Sequence, residues 1–128
     1  MKAKVAALAM ATLAFAGCAT IDRANNYHGM GVDEGENAIE TVEIENSCWL
    51  LFKFIPIASG NPVAPNKYSY KLFQNTATLK NNLEMLEDEM ERTNAKRVVN
   101  LTSRKTDESI FIILFTRSAY HTSAVLLK

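Results

Sequence analysis

Hydrophobic and polar positions alternate in some stretches of this chain and run together in others, and the difference locates its elements. From Ile39 to Ile57 the sequence IETVEIENSCWLLFKFIPI is rich in β-branched and aromatic residues and holds no glycine. Val42 and Ile44 alternate with Glu43 and Glu45, the period of a half-buried strand whose acids face water. Past Asn46 and Ser47 the alternation stops. Cys48, Leu50, Phe52 and Phe54 share one parity, Trp49, Leu51 and Ile55 the other, and Lys53 is the one charge among them. That half is expected to be covered on both faces or to lie against a partner. Residues 58–67, ASGNPVAPNK, have the composition of a loop.

Thr78 is placed to cap a helix running to about Asn94. Within it Leu79, Leu83, Leu86 and Met90 recur every three or four residues and predict one buried stripe, with Glu84, Glu87, Asp88 and Glu91 largely off it. Residues 95–103 read as a second strand and 104–108 as a charged turn. The last twenty residues, SIFIILFTRSAYHTSAVLLK, predict one long bent strand or two strands broken around Arg117 to His121, with the apolar run from Ile110 to Phe115 pairing with the Trp49 segment. Strand, helix, strand and strand in that order predict an α+β fold, a small antiparallel sheet with one long amphipathic helix packed on one face.

The first 17 residues are of another kind. Lys2 and Lys4 precede an apolar stretch from Val5 to Phe15, followed by the small residues Ala16 and Gly17 and then Cys18. A basic start, an apolar run too short to span a bilayer and small residues at the end describe a cleaved secretory signal. Residues 18–38 hold few large apolar side chains and are expected to form a flexible tether, leaving residues 39–128 as a single domain.

The run Leu13-Ala14-Phe15-Ala16-Gly17-Cys18 resembles the lipobox of bacterial lipoproteins, with Phe15 departing from the family's usual Leu, Val or Ile. The resemblance implies cleavage before Cys18, acylation of that residue including palmitate, and stable attachment to a membrane, since two or more acyl chains anchor firmly. Ala19 after the cysteine implies sorting to the outer membrane, facing the periplasm. Ala14-Phe15-Ala16 also fits the small-x-small pattern of ordinary signal cleavage, which would leave a soluble protein in which Cys18 and Cys48 can close a disulfide. If Cys18 is acylated instead, Cys48 stands alone as a small buried hydrophobe.

Charge narrows the partners. Fourteen basic residues balance fourteen acidic ones, and loss of Lys2 and Lys4 with the leader turns the balance acidic. No concentrated basic excess of the kind that drives nucleic-acid binding is present.

Candidate chemistry is sparse. His28 lies in the expected tether. His121, beside Tyr120 and Thr122, could be approached by Asp107, Glu108 or Ser109, but no G-x-S-x-G nucleophile motif, calcium loop or zinc knuckle accompanies it. No catalytic residue, metal ligand or cofactor is predicted. The expected function is a nonenzymatic structural or protein-interaction module of the cell envelope. Its partners would be the membrane through Cys18 and an envelope protein or a second copy, met at Trp49, Phe52, Lys53 and Phe54. The alternative is a module holding a small apolar ligand, such as a lipid, between helix and sheet.

Overall fold

The computed structural model describes residues 18–24, 37–67, 69–111 and 114–128. Among them the strands are β1 (Ala19–Ala24), β2 (Ala38–Leu51), β3 (Ile55–Gly60), β4 (Tyr70–Leu72), β5 (Arg97–Ile110) and β6 (Phe115–Leu127), with one helix, α1 (Leu79–Thr93), between β4 and β5. All pairings are antiparallel. The sheet runs β4-β3-β2-β6-β5, and β1 adds to β2. Since β6 lines one side of β2 throughout, β1 and β3 share the other side, β1 along Thr41–Asn46 and β3 along Cys48–Leu51.

The expected small sheet under a long helix is therefore corrected. Among the described residues six strands dominate, the order is β-β-β-β-α-β-β, and the one helix has 15 residues. Several local readings account for the difference. The expected strand from Ile39 to Ile57 is divided by a turn at 52–54 into β2 and β3, β3 runs on into the expected loop as far as Gly60, and β4 forms where no strand was expected. Residues 19–24, expected within a tether, are strand β1; residues 25–36 lie outside the described residues. Residues 104–108, expected as a charged turn, are the middle of β5, an edge strand whose side chains can carry charge on both faces. The expected break around Arg117 to His121 is absent, and β6 passes through those residues unbroken after a turn at Phe111 to Leu114.

Thr78 caps α1 by accepting a hydrogen bond from the Asn81 backbone, and Asn94, in the left-handed conformation that asparagine tolerates, closes it. The buried residues are Asn82, Met85, Leu86 and Glu89, whereas Leu79 and Leu83 remain about 40% exposed. The packed face is thus rotated from the leucine stripe. Its apolar part, Met85 and Leu86, covers Val42 and Ile44 of β2, Ala124 and Leu126 of β6, and Ala19 and Ile21 of β1. Fully burying a side chain such as Ile44 or Leu126 contributes about 2 kcal/mol.

The polar part of that face is matched by polar groups on the sheet. The Asn82 side-chain amide donates to the Tyr120 carbonyl (3.0 Å) and Thr122 Oγ1 (2.9 Å), and its oxygen accepts from Asn46 Nδ2 (2.8 Å). Glu89 accepts two bonds from the Arg23 guanidinium and is also bonded by Arg92, which reaches on to Glu40.

Candidate functional site

Cys18 opens β1 with no spacer. Its backbone N–H donates to Ser47 Oγ (2.8 Å), and its carbonyl accepts from the Ser47 N–H (2.7 Å). The side chain is exposed. Beside it the chain turns out of β3 at Gly60, where an added Cβ would stand 2.2 Å from the Ala19 nitrogen and from the Cys18 carbonyl carbon, so only glycine lets the two backbones meet. Asn66, in the loop after β3, holds the outer side of β1, donating to the Ile21 carbonyl and accepting from its N–H, both at 2.9 Å. The residue expected to carry the lipid is seated in the sheet edge.

The proposed partner residues divide. Trp49 is 7% exposed and belongs to the interior. Phe52 (47%), Lys53 and Phe54 (73%) are exposed in the turn between β2 and β3. The Phe52 N–H donates to the Leu114 carbonyl (2.9 Å), which brings this turn against the one between β5 and β6. There Ile110, Phe111 and Leu114 are also exposed. Two hairpin turns thus form one apolar end to the sheet. It continues along the β3–β4 margin as Ile55, Leu72 and Phe73, with Val63 in the following loop 89% exposed.

Backbone conformation singles out the same places. Among the described residues seven non-glycine residues have positive φ. Asn66, Asn94 and Asn100 tolerate it; Phe52, Lys53, Phe73 and Phe111 do so at a cost of roughly 1–2 kcal/mol each. All four lie on the apolar end or its margin.

The charge pattern was available in the sequence and points the same way. From Asn46 to Leu83 there is no Asp or Glu, while Lys53, Lys67, Lys71 and Lys80 fall within the stretch. Lys53, Lys67 and Lys71 are exposed on the end and margin just described. Periodicity overlooks such a feature because it sorts residues by burial and not by sign of charge.

His121 lies on the sheet face away from α1. Its Nδ1 is 3.5 Å from Glu45 Oε2 and its Nε2 is 3.1 Å from Thr106 Oγ1, so its neighbours are Glu45 and Thr106 in place of the expected Asp107, Glu108 or Ser109. Glu45 is also paired with Arg117. A shallow depression of about 230 Å³ beside it is lined by Glu43, Thr102, Arg104, His121 and Ser123. This hollow is polar and on the opposite side of the sheet from the helix, away from where an apolar ligand was expected. His28 lies outside the described residues.

Both cysteines are free, so the alternative Cys18 to Cys48 disulfide is not formed. Cys48 is fully buried beside Leu50 and Ala77, and burial pushes its thiol up to about 11. A maleimide at neutral pH is expected to leave Cys48 unmodified in the native protein and to modify it in urea, as read by peptide mass. Native labelling within minutes would contradict this burial.

The chain matches no protein-family model, no curated protein and no solved structure.

Proposed function

We propose that the protein is a nonenzymatic interaction module of the cell envelope, anchored through Cys18 and lying on a bilayer by its apolar end and β3–β4 margin. The observation that carries this reading is the coincidence on one border of the sheet of an exposed Cys18, exposed Phe54, Val63, Leu72 and Phe73, and exposed lysines from the acid-free stretch between Asn46 and Leu83. Aromatic and aliphatic groups enter the acyl boundary, while lysines extend their charge to anionic headgroups at about 1 kcal/mol each. Without a spacer after Cys18, acyl chains on that residue hold the domain against the lipid. The outer membrane, facing the periplasm, is the expected site, and the opposite β5 edge is left for protein partners.

Protein recovered from membranes is expected to begin at Cys18 with added acyl mass, and Cys18→Ser to block that processing. For contact with lipid, Phe54→Cys and Phe73→Cys carry an environment-sensitive fluorophore, with Glu87→Cys on the exposed side of α1 as the reference. On vesicles containing anionic lipid the first two are expected to shift to the blue and the third to stay unchanged. Equal behaviour at all three positions would refute the proposed orientation.

A further inference from the structure

β5 is an edge strand, and from Thr102 to Ile110 it pairs with β6 in unbroken register on one side only. Among the described residues no strand pairs with its outer side. At its centre stands Arg104-Lys105-Thr106-Asp107-Glu108, two bases and two acids disposed symmetrically about a threonine.

Arg104 and Glu108 lie on the same face of the strand, four residues and so about 13 Å apart. They are too distant to pair within one strand, and both are exposed, with no ion-pair partner among the described residues. Lys105 and Asp107 share the other face and are 3.6 Å apart, each about half exposed.

We infer that β5 is the joint for a second copy of this chain, the two strands pairing antiparallel about a two-fold axis at Thr106. In that register Arg104 faces the second copy's Glu108, Lys105 faces its Asp107, and the relations hold in reverse. Cross-strand partners stand about 5 Å apart, within reach of every pair. At the ends of the ladder Thr102 meets Ile110, 43% exposed. Shifting the register by two residues in either direction sets Lys105 against Lys105 or Asp107 against Asp107, so the charges select one alignment.

Charges along an edge strand ordinarily repel arbitrary strands. Here the same charges reject most partners and accept a copy of themselves, which is specificity through repulsion as well as attraction. The axis stands perpendicular to the sheet, so both helices lie on one face of a continuous sheet and the two Cys18 borders point in opposite directions; on the orientation proposed above, the pair joins copies held on two facing bilayer surfaces.

The test uses full-length protein extracted in mild detergent, with dimerisation followed by sedimentation. The natural chain is expected to dimerise, Arg104→Glu to weaken the association by about tenfold or more, and Arg104→Glu combined with Glu108→Arg to restore it. Thr106→Cys should cross-link to its counterpart under mild oxidation. A natural chain that is monomeric at high concentration, or a double variant no better than Arg104→Glu while both keep native circular dichroism, would overturn the inference.

Discussion

Asn82→Ala is expected to lower the unfolding free energy by about 3 kcal/mol, and Leu83→Ala, one position along the same helix, by less than about 1 kcal/mol. The leucine stripe in the sequence predicts the reverse order. Asn82 is fully buried and joins α1 to β2 and β6 at once, whereas Leu83 is 40% exposed. Truncating Asn82 removes the partner of Asn46 Nδ2 and of the Tyr120 carbonyl, and the stranded groups then bear their desolvation cost.

A double-mutant cycle sharpens the expectation. Asn46 Oδ1 is buried without a hydrogen-bond partner among the described residues, so Asn46 depends on its amide nitrogen, which reaches Asn82 and Met85 Sδ. Asn46→Ala and Asn82→Ala together should cost clearly less than their separate effects added, because removing both members leaves fewer stranded groups. Urea unfolding of the four proteins measures this. Strict additivity would show that the two amides are not coupled.

Glu89 makes the second large prediction. The Arg23 hydrogen bonds, helped by Arg92 and opposed by burial, hold its carboxyl down to about 2, against an ordinary 4.5. The folded protein therefore resists protonation at this site more than the unfolded chain does. Stability from the cluster is fully present above about pH 4.5 and is lost as pH falls toward 2, an effect on the order of 3 kcal/mol. Glu89→Gln should remove a comparable amount at neutral pH and flatten the acid limb. If the variant keeps the same loss of stability between pH 4.5 and pH 2, the acid sensitivity belongs to other carboxylates.

Glu89 also shows where sequence reasoning stops. The 3.6-residue period places a helix between Thr78 and Asn94, because capping and periodicity are local. The packed face escapes that reasoning, since Asn82 and Glu89 are buried only through Asn46, Thr122, Arg23 and Glu40, which come from three strands far away in the chain. The same holds for β1. Residues 19–24 have too few apolar groups to announce a strand, and they form one because the upper half of β2 offers them an open edge.

The candidate surface was legible in part. A doubly apolar run from Cys48 to Ile55 is visible in the sequence, but its division into a buried Trp49 and exposed Phe52 and Phe54 depends on where β2 ends. Leu51 is its last residue, and left-handed Phe52 and Lys53 turn the chain outward. Residue type does not reveal that turn, because phenylalanine and lysine are unusual in this conformation. The self-complementary charges of β5 were equally visible, yet a charged run reads as a turn until the neighbouring strand is known.

The seat of Cys18 bears on the order of events during maturation. Its backbone is pinned to Ser47, and Gly60 lies against the peptide unit that joins it to Ala19. A peptidase needs free, extended chain at the bond it cuts, and the Cys18 N–H is held by Ser47 Oγ. On the proposed processing at Cys18, the start of β1 therefore has to leave Ser47 for the cut and to return to it afterwards.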